Sequence, residues 1–163
     1  MLFVGTLEPR KNLERLVAAL AMDSTLPPLV VAGLDGWGEM GNVKGTAVHF
    51  VGHVDDWNLP ALYDQASALC YPSLWEGFGL PILEAMSQGT PVVTSSGTST
   101  EEVAGSAAVL VDRDRRRLVV VMRAAIVPPV ARAFEPELGG QVVEVDPGLQ
   151  FVDRGHTGLP LLN

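Results

Sequence analysis

Glu76-Gly77-Phe78-Gly79-Leu80-Pro81-Ile82-Leu83-Glu84 sets two carboxylates eight residues apart around a glycine-rich turn that opens a helix. Gly77 and Gly79 lack a Cβ, so both are expected to take positive φ and to let main-chain N–H groups approach a ligand closely. Pro81 fixes φ near the helical value and is read as the first helical position. The free N–H groups of such a helix start, with the positive end of its dipole, favour an anion by ~0.3–1 kcal/mol at an exposed site. Glu76 precedes the turn and Glu84 lies within the first helical turns, so the two can reach one cleft. Carboxylates accept hydrogen bonds from hydroxyls. A diphosphate flanked by hydroxylated rings, as in a sugar nucleotide, suits that combination.

Outward from this stretch, short apolar runs alternate with helical patterns. Met1-Leu2-Phe3-Val4, ending at Gly5, reads as a strand buried on both faces. Leu13, Leu16, Val17 and Leu20 recur at helical spacing, with Asn12 as the expected N-cap. Residues 29–32 and 48–51 read as the next two strands, joined by a glycine-rich connection over 33–45 that contains Trp37. A helix is expected over 58–66, with Pro60 near its start, and a fourth strand over 68–71. The signature helix should run over 81–88 and stop at a left-handed Gly89. A fifth strand at 92–94, a short capped helix at 99–104 and a sixth strand at 107–111 complete the pattern. The fold class is therefore α/β: a Rossmann-like doubly wound parallel sheet of about six strands. Ligands on such sheets bind beyond the carboxyl ends of the strands, where Gly5, Gly33, Gly52 and Ser73 fall.

At 163 residues with 47% hydrophobic content, the chain suits one domain with a substantial core. Its net charge of −8 argues against a general nucleic-acid binder, which would display a basic patch. Residues 1–112 hold four Lys and Arg against thirteen Asp and Glu, whereas 113–163 hold seven Arg against six Asp and Glu. Cys70, the single cysteine, lies in an apolar run and reads as a small core residue in a reducing compartment. No signal peptide is evident, and Arg123 interrupts the apolar run 118–122 far short of a membrane span. After Asp112 the helical period fails, and Pro128-Pro129, Gly139-Gly140 and seven arginines without a lysine follow. Two segments are expected: a domain over 1–112 and an irregular, divergent or frame-shifted tail over 113–163.

Taken with Phe3-Val4-Gly5-Thr6-Leu7-Glu8-Pro9-Arg10-Lys11-Asn12, Tyr71-Pro72-Ser73-Leu74-Trp75 and Ala85-Met86-Ser87-Gln88-Gly89-Thr90-Pro91-Val92-Val93, the signature closely resembles a known motif. It is the carboxylate-x7-carboxylate motif of retaining glycosyltransferases of the GT-B fold, family 4. Several separate motifs over residues 1–112 occur in the family's order and spacing. The resemblance implies the C-terminal, donor-binding half of an enzyme that moves a hexose from a nucleoside diphosphate sugar to an acceptor hydroxyl. By the same resemblance, Glu84 would hold the ribose hydroxyls and Glu76 the transferred sugar, while Gly77, Phe78, Gly79 and Leu80 would offer N–H groups to sugar or phosphate. Lys11 aligns with the family's lysine at the diphosphate. Thr6 stands where an arginine is commoner, directly after Gly5, so Arg10 would supply that charge. His53, after the third strand, falls where the family presents main chain to the base; it stacks or hydrogen-bonds there, or is an ordinary loop histidine, while His49 is structural. The acceptor, a glycan or lipid-linked glycan, would arrive through an N-terminal domain preceding Met1. A cytoplasmic protein, peripheral to the inner membrane face through the full-length enzyme, is implied, with no cofactor and no metal.

Blander readings stand beside these. Arg10 and Lys11 could form a solvated helix start, although two cations near the positive end of a dipole are unfavourable without an anion. Glu84 could merely steady its helix, and Glu76 could be a solvated loop carboxylate. Asp112-Arg113-Asp114 imitates a metal-binding Asp-x-Asp but has no accompanying His, Cys or carboxylate cluster. Asp55-Asp56 reads as an anion pair leading into a helix, and a nucleophile elbow is lacking. Met22, Met86, Trp57 and Trp75 read as core or loop packing. The alternatives to sugar transfer are a non-catalytic nucleotide-sugar binding module or remnant, and a nucleotide-sugar epimerase of the same fold.

Overall fold

A computed structural model of the chain describes residues 1–34 and 48–112. Trp37 and most of its connection, Asp114 and the 113–163 tail lie outside the described residues. Among the described residues six strands form: β1 (Leu2–Val4), β2 (Leu29–Ala32), β3 (Val48–Gly52), β4 (Leu69–Tyr71), β5 (Val92–Ser95) and β6 (Ala108–Val111). Between them lie α1 (Leu13–Leu20), α2 (Leu59–Gln65), α3 (Leu80–Ser87) and α4 (Ser99–Ala104), with a single tight helical turn at Pro9–Lys11 before α1.

Strand order is β3-β2-β1-β4-β5-β6, with every pairing parallel. Side chains alternate across the pleat, and so divide the core into two layers. Phe3, Val31, Cys70 and Val93 pack with Leu13, Leu16, Val17 and Leu20 of α1. Leu2, Ala32, Leu69, Tyr71 and Val92 pack on the other face with Tyr63 of α2, Ile82 and Ala85 of α3 and Ala104 of α4. Helices on both faces are what a doubly wound sheet requires, and the central strands β1, β2 and β4 are accordingly largely apolar and buried, whereas the edge strand β3 is mostly exposed. Chain direction across the sheet reverses between β1 and β4, so a crevice opens beyond the carboxyl ends of these two strands. Cys70 is buried there between layers, and burial pushes its thiol pKa up to about 12, which suits an inert core residue.

Four local expectations need correction. Asn12 is not a side-chain N-cap: its backbone is left-handed at φ 60°, and its amide instead donates to the Pro72 carbonyl at 3.0 Å. Leu80, not Pro81, is the first residue of α3, because Gly79 at φ 106° already makes the turn into the helix. Gly77 is absent from the positive-φ glycines, so only Gly79 uses left-handed backbone in the signature turn. The residue preceding α4, Thr98, makes no side-chain cap; Glu101 reaches back to the Gly97 N–H at 2.6 Å instead.

Candidate functional site

The crevice is built by two connections, one after β1 and one after β4. Leu74 N–H donates to the Arg10 carbonyl at 2.7 Å, and the Asn12–Pro72 bond ties the same segments a second time. Basic side chains from the first connection are thereby brought to the signature turn in the second. Lys11 is only 7% exposed, and its Nζ lies 3.1 Å from Glu76 Oε1 and 2.9 Å from the Tyr71 hydroxyl. Arg10 pairs through one terminal nitrogen with Glu76 Oε2, and through Nε with Glu8 at 2.6 Å. Its guanidinium also lies 5.1 Å from the centroid of the Trp75 ring. Glu76 and Glu8 are thus the anions that two cations at this helix start require.

Glu76 Oε1 also accepts from the Tyr71 and Ser73 hydroxyls, each at 2.9 Å. Burial alone would raise the Glu76 pKa; the Ser73 bond, the Lys11 charge and the Tyr71 bond outweigh it and hold the carboxylate below its ordinary range. Burial, followed by the neighbouring Glu76 carboxylate, raises the Tyr71 phenol, which stays protonated as a donor. For Arg10, desolvation opposes the charge, but the Glu76 and Glu8 carboxylates prevail and raise its pKa. The turn is fixed from a third side, since Ser99 Oγ donates to the Glu76 carbonyl at 2.7 Å. Thr94 and Thr100, bonded hydroxyl to hydroxyl at 2.8 Å, hold the start of α4 against the end of β5.

Glycine at position 5 is dictated by this arrangement. A Cβ there would lie 2.8 Å from Lys11 Nζ, and the residue has φ 141°. Thr6 follows it, half-buried. Gly79 is buried against Thr100 and Ile82, whereas Gly77, Phe78 and Leu80 are exposed, which leaves the outer rim of the turn open. Glu84 lies one turn into α3 and is held apart from the cation cluster: its Oε2 accepts from the Tyr63 hydroxyl at 2.7 Å. His53 is exposed beyond β3, two strands and roughly 10 Å from β1, and its closest charged partner is Asp55 at 3.9 Å.

Lys11, Arg10 and Glu76 therefore meet at one point, with Gly5 against the Lys11 side chain. Sequence reasoning passed over Tyr71, Ser73, Ser99 and Tyr63 as ligands of the two glutamates. Tyr71 carried a signal, because a tyrosine ending a buried strand puts its hydroxyl at the strand's carboxyl end. Trp57 and Met22 correct the packing expectation, being exposed; Met86 is half-buried against the α3 side of the core. Among the described residues no group of three or more His, Cys, Asp or Glu is placed to hold a metal ion, and no helix is long and apolar enough to cross a membrane.

The family model for glycosyl transferases group 1 matches residues 1–120. The chain belongs to this family. O-antigen chain mannosyltransferase B of Escherichia coli is 45% identical to this glycosyl transferase domain over 123 residues, covering 68% of the chain and 32% of that protein. Glycogen synthase of Mycobacterium tuberculosis is 34% identical over 144 residues, covering 80% of the chain and 34% of that protein. Among solved structures, Anabaena HepE in complex with UDP-glucose superposes with a TM-score of 0.63 at 25% identity, over 77% of this chain and 39% of that one. The chain spans about a third of the length of these relatives. Its sheet is the Rossmann-like unit found in these GT-B glycosyltransferases.

Proposed function

We propose that this chain is the donor-binding half of a retaining, family 4 hexosyltransferase that takes a nucleoside diphosphate sugar as donor. The observation that carries this reading is the convergence of Lys11 and Arg10 on Glu76 at the strand-order reversal, directly before α3. Glu76 and Glu8 pair with the two cations, and donor binding exchanges part of that pairing for phosphate oxygens. Lys11, Arg10 and the N–H groups of Gly77, Phe78, Gly79 and Leu80 then surround the diphosphate, Glu76 orients the hexose, and Glu84 accepts from the ribose hydroxyls. Gly5 and Thr6 line the floor, and His53 reaches toward the base. The mannosyltransferase relative supports mannose as the hexose.

Transfer breaks the bond from the anomeric carbon to the diphosphate oxygen, whose electron pair leaves with the diphosphate. Positive charge grows on the sugar as negative charge grows on the departing oxygens. Preorganised cations aimed at those oxygens stabilise that transition state most. The acceptor oxygen bonds to the anomeric carbon on the face the leaving group vacates, and its proton passes to the departing phosphate, so configuration is retained. The two side-chain cations supply the charge that a metal ion supplies elsewhere, so chelation should leave donor binding intact. The acceptor glycan or lipid-linked glycan would be presented by an N-terminal domain of the full enzyme, at the cytoplasmic membrane face.

Calorimetric titration with UDP, GDP and ADP tests the site. One of them should bind, and Lys11→Ala should weaken it about tenfold or more, as expected for losing a charge-assisted hydrogen bond. Binding of none, or binding that ignores Lys11→Ala, overturns the reading.

A further inference from the structure

Two features of the Glu84 end are not explained by helix packing alone. Tyr63 is a core residue, 1% exposed, whose ring packs with Leu2, Leu69 and Ile82, yet its hydroxyl emerges at the edge of the core against the exposed Glu84 on the next helix. The peptide that carries the ring is itself fixed, because Thr90 Oγ1 donates to the Tyr63 carbonyl at 2.7 Å from the loop between α3 and β5. A rigid phenol on an anchored helix therefore fixes a flexible, otherwise solvated carboxylate. Phenylalanine would fill the same core space, so the hydroxyl serves something besides packing.

We infer that Tyr63 is a positioning residue that occupies Glu84 Oε2 and thereby presents Oε1 to the vicinal hydroxyls of the donor's ribose. This rests on the assignment of Glu84 to the ribose made above, and deepens it. An ionised carboxylate accepts through both oxygens, and a ribose diol offers two donors that must be met at one angle. With Oε2 bonded to Tyr63, the plane of the carboxylate is set before the nucleotide arrives, and less side-chain freedom is lost on binding. Burial, followed by the bond to Glu84, raises the Tyr63 pKa well above that of a free phenol, so the hydroxyl remains a donor throughout the neutral range.

The test compares Tyr63→Phe with the unmodified chain, using three ligands of the preferred base: the ribonucleoside diphosphate, its 2′,3′-dideoxy analogue, and inorganic pyrophosphate as a probe of the cation end. The unmodified chain should prefer the ribonucleotide to the dideoxy form. In Tyr63→Phe that preference should shrink about three- to tenfold, a part of what one charge-assisted hydrogen bond is worth because the hydroxyl acts on the ribose only through Glu84, while pyrophosphate binding is unchanged. An equal loss for all three ligands would mean that the hydroxyl only stabilises the fold, and an undiminished ribose preference would mean that it does not position Glu84; either overturns the inference while leaving the donor site standing. No binding of any nucleotide by the unmodified chain would overturn the site assignment itself. Should Tyr63→Phe not fold, fluorotyrosine labelling gives two 19F signals, because the chain has two tyrosines. The ribonucleotide, and not the dideoxy form, should then shift the Tyr63 signal; equal shifts, or none, contradict the proposal.

Discussion

Glu76 and Glu84 stand at the two ends of one turn-and-helix segment, yet the fold holds them differently. Glu76 accepts from four side chains, Arg10, Lys11, Tyr71 and Ser73, contributed by both connections that frame the crevice. Glu84 accepts from Tyr63 on a neighbouring helix. The first carboxylate is thus part of what joins the two halves of the sheet, and the second is an attachment on its rim. Stability and chemistry should be entangled at the Glu76 end and separable at the Glu84 end.

The largest expected effect is at Glu76. Glu76→Ala leaves Lys11 buried without its carboxylate and should cost about 3 kcal/mol in denaturant unfolding; a cost below about 1 kcal/mol would erase the contrast between the two ends. The same group should show in the pH dependence. Its folded pKa lies below the ordinary 4.5, so its contribution is present above that pH and is lost as pH falls through the folded value. Glu76→Gln should therefore flatten the acid side of the stability curve below about pH 4.5, and an unchanged acid limb would assign that titration to other groups.

Gly5→Ala sharpens the comparison from the other side of the cluster. The new Cβ would press on Lys11 Nζ in a backbone conformation that alanine resists, so a loss of ~1–3 kcal/mol in thermal unfolding is expected, together with weaker nucleotide binding. An alanine tolerated without either change would show that Lys11 need not lie where it does. Smallest in stability is Glu84→Ala, below about 1 kcal/mol, because water can take the place of an exposed carboxylate beside the Tyr63 hydroxyl. Its nucleotide affinity should nonetheless fall about tenfold, with turnover in the full enzyme affected less than by Glu76→Ala. A reversed pattern would exchange the two roles.

Among the described residues the six strands and four helices were legible because apolar runs of three to five residues and a clear α1 periodicity carry their own signal. Parallel order followed from their alternation, and strand-end glycines pointed to the crevice. What stayed hidden depends on which strands become neighbours. The direct pairing of Lys11 and Arg10 with Glu76 forms only because β4 lies beside β1, and Tyr63 meets Glu84 only because α2 and α3 share a face of the sheet. Asn12 shows the same limit: a residue suited to capping gave its amide to Pro72, a partner 60 residues away that no local pattern could reveal. Gly77 and Gly79 look alike in the sequence, but the buried contact with Thr100 and Ile82 belongs to Gly79 alone.

A crystal structure of this chain with the nucleoside diphosphate mannose of its preferred base tests the central claim most directly. The diphosphate should lie within hydrogen-bond distance of Lys11 Nζ and the first N–H groups of α3, with the ribose hydroxyls on Glu84 and the mannose beside Glu76. A diphosphate bound away from Lys11, with the Lys11–Glu76 pair undisturbed and Glu84 facing solvent, would contradict the account.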